Sequence, residues 1–259
     1  MCRFYANVLS CLLILSPLFC LDMSCSAEDD PVVADRPGFS SSTSIVGPGQ
    51  VQIEMGYDRT RAASGDETVA QTFPLVNVRK GVAPAVEFNL FWRGWSRFSV
   101  NDQSSTAEND VAVGVKYAMH AATAHHVSFL GAVNLPTGDA SVTSDHVDPT
   151  VGVIWDYAMT PSLGAFGTIL GTTTQPESSR IYTVQPAVGA SVSLSSGLSA
   201  FVEYFSMLPS EKAASQHSLD AGFTYLMTDD IQLDGSAGIG LDRDAPDFVG
   251  LGLVYRLNF

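Results

Sequence analysis

Residues 249–259 read VGLGLVYRLNF, and apolar side chains occupy every second position of this stretch. The apolar positions are Val249, Leu251, Leu253, Tyr255, Leu257 and Phe259. Alternate residues of a β-strand point to opposite faces of its sheet. The stretch therefore predicts a strand with one apolar face and one face of mostly small or polar residues.

The first residues of the chain predict a signal peptide that is removed from the mature protein. Arg3 precedes an apolar run at residues 8–21, and the small residues at 24–27 suit a signal peptidase. We predict cleavage after Ala27, so the signal peptide covers residues 1–27. The four cysteines, at positions 2, 11, 20 and 25, all lie inside it. The mature chain would therefore have no disulfide, no thiolate metal ligand and no thiol nucleophile.

The composition limits the classes of partner and of membrane segment. The formal net charge is -14 at pH 7, so we predict no binding to nucleic acid by general attraction. Hydrophobic residues make up 46% of the chain and charged residues only 15%. After residue 21, however, no apolar run approaches the ~20 residues that a membrane-spanning helix requires. Apolar residues interleaved with polar ones are typical of a lipid-facing β-barrel.

Segments of alternating polarity predict about twelve strands, with ten or fourteen also possible, each near the ~10 residues of a tilted spanning strand. The predicted fold is all-β, a transmembrane antiparallel up-and-down barrel over residues 51–259. Short turns alternate with long polar loops, and the longest predicted loop covers residues 96–110. Outer-membrane barrels have short periplasmic turns and longer external loops. With an even number of strands, the start of the first strand and the end of the last strand therefore both face the periplasm.

A soluble all-β sandwich is the alternative fold, because it also has alternating strands and polar turns. The outward faces of a sandwich should carry Lys, Glu, Thr and Ser. Here one face is almost entirely aliphatic and aromatic, and Trp and Tyr lie towards the predicted strand ends. Such aromatic residues are typical of the girdles at membrane interfaces. The barrel is therefore the favoured prediction.

The aromatic end of the last strand resembles the terminal strand of bacterial outer-membrane barrels. In those proteins the barrel assembly machinery recognises this strand. The resemblance implies that Tyr255 and Phe259 form an assembly signal and that the machinery is a partner. Outer-membrane lipid and lipopolysaccharide are the other expected partners, and the predicted location is the bacterial outer membrane.

Four stretches of the sequence resemble one family of outer-membrane barrels. Residues 35–39, DRPGF, and 47–54, GPGQVQIE, resemble its DRP-aromatic box and its G-x-x-Q-x-E strand start. Residues 110–117, DVAVGVKY, resemble its D-x-x-x-G-x-K-Y strand, and residues 135–138, LPTG, its PTG turn. The family is described as "Putative MetA-pathway of phenol degradation" and as transporter-like. The resemblance implies passage of small, often aromatic or apolar compounds.

Charged residues of the polar strand faces should line the lumen if the apolar faces meet lipid. They are Glu54, Arg79, Glu87, Arg93, Lys116, Asp156, Glu203, Asp220, Asp234 and Arg256. One interpretation is that these charges pair across the lumen, because a buried ion needs a partner. The other is a constriction that sets ion preference. In it, Arg79, Arg93 and Lys116 would face Glu54, Glu87 and Glu203.

Residues 28–50 precede the first predicted strand and contain three prolines and a Ser/Thr run. Two arrangements fit this composition: a disordered periplasmic leader, or a plug that folds into the lumen. The compact Asp-Arg-Pro-Gly-Phe cluster favours the plug. The plug would include Asp35, Arg36, Pro37 and Phe39, with Arg36 and Phe39 as its anchors.

These features together predict a channel or transporter-like barrel for passive passage of small solutes. The alternative is a structural or surface-interaction barrel with a filled lumen. No enzyme is expected: His126 and Ser128 share one strand face, which superficially resembles outer-membrane phospholipase A, but a triad needs a third group to orient its base. No cofactor or metal is predicted, since the His residues lack ligand spacing and the mature chain has no thiol.

Overall fold

Strands with alternating side-chain exposure make up most of the protein. The computed structural model describes residues 30–62, 68–100, 103–119, 123–175, 180–210 and 214–259, so the predicted signal peptide lies outside the described residues. Fourteen strands lie within these ranges. They are β1 (Gln50–Arg61), β2 (Val69–Ala83), β3 (Val86–Trp92), β4 (Trp95–Val100), β5 (Gln103–Glu108), β6 (Val111–Met119), β7 (His125–Leu135), β8 (Asp148–Ala158), β9 (Leu163–Thr174), β10 (Ile181–Ser193), β11 (Leu198–Pro209), β12 (Gln216–Thr228), β13 (Ile231–Gly240) and β14 (Asp247–Asn258). The described residues include no helix that is both long and apolar enough to cross a membrane.

The sheet closes into a barrel through its first and last strands. β1 pairs with β14 along its whole length, from Gln50↔Asn258 to Arg61↔Asp247, and with β2 on its other side. Antiparallel pairing from β2 through β3 and β6 to β14 completes a ring of twelve described strands. The predicted up-and-down barrel of about twelve strands is confirmed. Closure leaves the ring without a free strand edge.

An additional hairpin, β4 and β5, extends the barrel where we predicted a loop at residues 96–110, so that prediction was wrong. β4 pairs with the first residues of β2, and β5 pairs with β4. β5 reads QSSTAE and is exposed at all but one position. A strand that leaves the membrane needs no apolar face, so no alternation marks it. Gly94 lies between β3 and β4 with a φ of 57°, a conformation that glycine adopts readily.

The outer and inner faces of the ring differ as the alternation predicts. In β14, Leu251, Leu253 and Tyr255 are exposed, whereas Val254, which lies between the last two, is fully buried. In β3, exposed Phe88 follows buried Glu87. A water-soluble protein rarely exposes such a continuous apolar belt. In an outer-membrane barrel this belt is the surface that contacts lipid.

The two ends of the barrel differ in their connections. Short turns, such as residues 229–230 between β12 and β13, join strands at one end, which we call the short-turn end. Longer connections, such as residues 136–147 between β7 and β8, join them at the other, the long-loop end. β1 begins and β14 ends at the short-turn end. The N-terminal segment therefore reaches β1 from that end.

Candidate functional site

Residues 30–49, which we call the leader, form a loop inside one half of the lumen. Near its start, Val32 donates its N–H to the carbonyl of Asp229, in a short turn, at 2.7 Å. Near its end, Pro48 forms a bridge with Gly81, close to the last residue of β2. Both ends of the leader thus lie at the short-turn end. Its middle section extends inward from there and returns.

Five charged side chains meet at the base of this loop, and we call them the lumen charge cluster. They are Asp35 of the leader, Glu54 of β1, Arg79 of β2, Glu87 of β3 and Lys116 of β6. Arg79 lies 3.0 Å from both Glu54 and Glu87, and Lys116 lies 2.6 Å from Asp35 and 3.4 Å from Glu87. No side chain of the five is more than 9% exposed. Buried charges of this kind persist only when they are paired and hydrogen-bonded.

The cluster fastens both arms of the leader loop. Arg79 donates one hydrogen bond to the carbonyl of Val33 at 3.0 Å and another to the carbonyl of Ser44 at 2.7 Å. The Asp35 carboxylate accepts the N–H of Ser42 at 3.1 Å, which closes the loop on itself. The two arms are therefore held together at a single basic side chain.

Asp35 is the leader's own contribution to the cluster and belongs to no strand. Burial alone would raise the pKa of its carboxyl, but the charges of Arg79 and Lys116 outweigh burial and hold that pKa below its usual range. The strands supply two acids, Glu54 and Glu87, and two bases, Arg79 and Lys116, to the cluster. Ionised Asp35 therefore adds a third acid to charges that are otherwise balanced.

At the tip of the leader, Arg36 contacts β14 and β13, the two strands that follow β1 in the ring. Its Nε lies 3.3 Å from Asp234 Oδ1, and its Nη2 donates to the carbonyl of Leu251 at 2.9 Å. Gly56 and Gly252 are direct partners across β1 and β14. A Cβ atom at either glycine would collide with the guanidinium. The two glycines therefore provide the space that the side chain occupies.

Phe39 and Ser40 hold the far side of the tip. The ring of Phe39 stacks on Phe205 with ring centroids 4.4 Å apart. The N–H groups of Phe39 and Ser40 donate to the carboxylate of Glu203 at 2.8 and 3.1 Å. Ser236 donates to the carbonyl of Pro37 at 3.3 Å. The residues of the Asp-Arg-Pro-Gly-Phe box thus contact the walls on both sides of the lumen.

Several residues predicted to line the lumen lie outside the charge cluster. Arg93 is exposed at the break between β3 and β4. Arg256 pairs with Asp230 at the short-turn end at 2.8 Å. Asp220 is 2% exposed, and neither of its carboxylate oxygens has a hydrogen-bond partner among the described residues. Glu203 binds backbone amides instead of a basic side chain. Among the residues of the predicted constriction, ion pairs thus join Arg79 and Lys116 to Glu54 and Glu87. Arg93 and Glu203 lie outside these pairs.

His126 and Ser128, the pair considered for hydrolysis, have separate partners. Ser128 donates to the carbonyl of Thr43 at 2.5 Å. His126 Nδ1 lies 2.7 Å from Asp156 Oδ1, and Asp156 also accepts the hydroxyl of Thr43. Ser128 thus contacts the returning arm of the leader directly, and His126 contacts the Asp156 side chain that binds the same arm. No group of three or more His, Cys, Asp or Glu within the described ranges is placed to hold a metal ion.

The proposed assembly residues lie on the surface of the barrel. Tyr255 is 44% exposed on the outer face of β14, and Phe259 is 87% exposed. Recognition by the assembly machinery stays a prediction.

An aromatic section of the inner wall was missed by the sequence analysis. Three phenylalanines lie directly opposite glycines of the neighbouring strand, and each ring covers its glycine. The pairs are Phe166–Gly189, Phe201–Gly222 and Phe248–Gly238. An aromatic ring that covers a cross-strand glycine restores packing that the glycine lacks. The sequence does contain a signal for this section. Phe201 and Phe248 lie on the same strand faces as Glu203 and Gly252, which are the polar faces of the alternation.

A cavity of about 220 Å³ lies between the leader and this aromatic section. Leader residues 36–38 and 40–43 form one side of it. Phe166, Phe201, Asp156 and Thr224 belong to its other lining residues. The cavity thus combines aromatic surface with a few polar groups.

Asp110 anchors the β7–β8 connection at the long-loop end. Its Oδ1 accepts the N–H groups of Thr137 and Gly138 at 3.0 and 2.8 Å. Its Oδ2 accepts from Asn134 and Thr143 at 2.7 and 3.1 Å. The first residue of the DVAVGVKY stretch and the PTG turn therefore form one structural unit.

Replacement of Asp110 by Ala should release this connection, because two backbone N–H groups and two side chains lose their acceptor. Loss of an ionised acceptor costs about 1.5–3 kcal/mol per hydrogen bond, so faster hydrogen exchange and faster proteolysis are expected within residues 136–147. Both rates can be measured on the refolded protein. The control is Asp244→Ala on the exposed β13–β14 connection; equal rates in the two variants would contradict the anchoring role.

A closed ring of twelve strands with an apolar outer belt and a polar interior defines an outer-membrane β-barrel. Comparison of the sequence with known protein families gives a more specific assignment. The chain belongs to the family described as "Putative MetA-pathway of phenol degradation", whose sequence model matches residues 34–257. No curated protein matches the chain significantly.

Solved structures of outer-membrane channels share this fold. The COG4313 outer membrane channel from Pseudomonas putida F1 aligns with a TM-score of 0.65 at 10% identity, over 86% of this chain and 99% of that one. The NanC porin aligns with a TM-score of 0.56 at 14% identity, over 80% and 100%. The KdgM porin, solved in complex with disordered oligogalacturonate, aligns with a TM-score of 0.52 at 7% identity, over 78% and 98%. At such identities the likeness establishes the fold alone.

Proposed function

We propose that this chain is an outer-membrane channel for passive passage of small, aromatic or apolar solutes, closed here by its own leader. The short-turn end would face the periplasm, as is general for outer-membrane barrels. The leader would then close the periplasmic half of the lumen. A solute passes when the leader moves out of the way.

The observation that carries this proposal is what fills the lumen. The interior of a barrel of about eight strands is filled by side chains from its own strands. In this barrel the strands present Gly56 and Gly252 where Arg36 lies, and a Cβ at Gly81 would collide with the backbone of the leader at Gly47. The space is therefore left by the strands and occupied by a segment that belongs to none of them.

The aromatic section supports the class of solute. Phe166 and Phe201 meet edge to face with ring centroids 6.2 Å apart, and both line the cavity beside the leader. Ligand sites are mostly apolar with a small number of polar groups, which matches this lining. The volume of about 220 Å³ suits a small molecule.

A barrel that does not transport is the second candidate, and the lumen charge cluster is the observation in its favour. Buried ion pairs that hold both arms of the leader resemble permanent structure. The two candidates differ in one respect: a channel must populate a state in which the leader is displaced.

Asp35→Ala should raise the open-to-closed ratio in planar bilayers about tenfold or more, because a hydrogen bond to a charged group contributes about 1.5–3 kcal/mol. The variant leaves Glu54 and Glu87 paired with Arg79 and Lys116, so we expect the barrel to remain folded. Asp244→Ala is the matched control and should behave as the wild type. A folded Asp35→Ala barrel with wild-type conductance would favour the non-transporting candidate.

A further inference from the structure

Three adjacent strands of the wall that faces the leader tip carry acidic residues and neither Lys nor Arg. β11, β12 and β13 place Glu203, Asp220 and Asp234 inside the barrel, each at most 3% exposed. Glu203 and Asp220 are direct cross-strand partners. Like charges directly opposite one another are destabilising, and buried ones need a counter-charge. We call these three residues the acidic wall.

The leader supplies the donors that the acidic wall receives. Glu203 accepts the N–H groups of Phe39 and Ser40, and Asp234 pairs with Arg36. The supply is incomplete. Both carboxylate oxygens of Asp220 and one of Asp234 lack a hydrogen-bond partner among the described residues.

Other basic side chains of the described lumen are engaged elsewhere. Arg79 and Lys116 are held in the lumen charge cluster, and Arg256 pairs with Asp230. Arg93 is exposed at the break between β3 and β4. When the leader leaves, Arg36 leaves with it, and the acidic wall faces the open lumen without a counter-charge.

The place that Arg36 occupies is shaped for a planar cation. Gly56 and Gly252 leave room on neighbouring strands, the carbonyl of Leu251 accepts one N–H, and Asp234 provides the opposite charge. A guanidinium is planar and presents several donors in a fixed geometry. We call the place between Gly56, Gly252, the carbonyl of Leu251 and Asp234 the seat. Because unsatisfied carboxylate oxygens lie beside it, the seat can bind another cation once Arg36 has gone.

We propose that this seat and the acidic wall form a binding site for the cationic group of a solute, an ammonium or a guanidinium, and that Arg36 occupies the site while the leader closes the lumen. The proposal rests on the proposed function, because the leader must move for a solute to enter. Phe205 and Phe201 lie next to the acidic wall, so their rings would contact the apolar part of the same solute. Aromatic faces also attract cations directly.

The first test uses the protein with residues 35–44 removed, in planar bilayers under a potassium chloride gradient. We expect a permeability ratio of K⁺ to Cl⁻ of roughly threefold or more, since rings of acidic side chains favour cations. Glu203→Gln, Asp220→Asn and Asp234→Asn together should bring the ratio towards one, and methylguanidinium should reduce the current only when the three acids are present. The control is Asp242→Asn with Asp244→Asn on the β13–β14 connection.

The outcomes separate the two proposals. A deleted protein that conducts without cation preference, or whose preference survives the loss of all three acids of the acidic wall, overturns the cation site and leaves the channel intact. A deleted protein that conducts no better than the full chain counts against the channel itself. The cation site then depends on the second test, which does not use conductance.

The second test is binding of methylguanidinium to the full chain with Arg36→Ala. This variant empties the seat, so millimolar methylguanidinium should raise its Tm by about 2–4 °C relative to sodium chloride. Wild type, with the seat occupied, and Arg36→Ala with Asp234→Asn, without the acid, should show no rise. Arg180→Ala controls for general effects of losing an arginine. Absence of a specific rise in Arg36→Ala would overturn the proposal.

Discussion

Removal of residues 35–44 is expected to turn a mostly closed barrel into a continuously conducting one. The deletion removes the Arg36 contacts, the Phe39–Phe205 stack and the amide donors to Glu203 together. Its effect should therefore exceed the about tenfold change expected from the loss of one charged hydrogen bond. A barrel of twelve strands lies between the filled interior of eight strands and the open channel of sixteen. Single-channel conductance measures the result directly.

The geometry favours a deleted protein that still folds. Arg79 binds Val33 and Ser44, which are next to residues 34 and 45, so the two ends that the deletion joins already lie close to one side chain. The charge balance of the lumen charge cluster also improves, because loss of Asp35 leaves Glu54 and Glu87 with two bases. Heat-modifiable migration in gels and the β-sheet signal in circular dichroism should match those of the wild type.

A second variant separates the effect of the leader's side-chain contacts on conductance from the effect of its volume. Replacement of residues 35–44 by ten Gly and Ser residues keeps the length of the leader but removes its side-chain contacts. We expect frequent openings of variable size, intermediate between the wild type and the deletion. A folded deletion variant that remains silent would show that strand side chains close the lumen, which contradicts the proposed role of the leader.

The barrel was predictable because its physical cause is local. Each spanning strand must expose apolar side chains to lipid at every second position, and this leaves a period of two in the sequence. Leu251, Leu253 and Phe88 carry that signal. The β4–β5 hairpin lacked it, since a strand beyond the membrane can be polar on both faces. The loop prediction at residues 96–110 failed for this reason.

The contacts of the candidate site depend on register and on the path of the leader, which a single sequence does not display. Asp35 and Lys116 are 81 residues apart and Arg36 and Asp234 are 198 apart. The sequence identified each as an inward or anchoring residue but could not pair them. The Phe201–Gly222 contact likewise requires the exact pairing of β11 with β12. Residue types were therefore predictable, whereas their partners were not.

Arg79→Ala is expected to lower the free energy of unfolding by about 3–5 kcal/mol, which is the usual cost of removing one partner from a buried ion pair. Three acids, Asp35, Glu54 and Glu87, would then face Lys116 as the remaining base of the cluster. The carbonyls of Val33 and Ser44 would also lose their donor. Unfolding by urea in detergent micelles, followed by tryptophan fluorescence, measures the change. Arg180→Ala, at the long-loop end, should cost about 1 kcal/mol or less.

Arg79→Lys and a compensated variant test the reason for that loss. Lysine keeps the charge but cannot reproduce the paired 3.0 Å hydrogen bonds from Arg79 to both oxygens of Glu87, so we expect partial recovery only. Arg79→Ala combined with Glu87→Gln should recover part of the stability, because one uncompensated charge is removed with its partner. Coupling between the two positions follows from the double-mutant cycle. If the losses simply added, the destabilisation would come from lost packing of the long Arg79 side chain, and the charge cluster would not be what holds the leader.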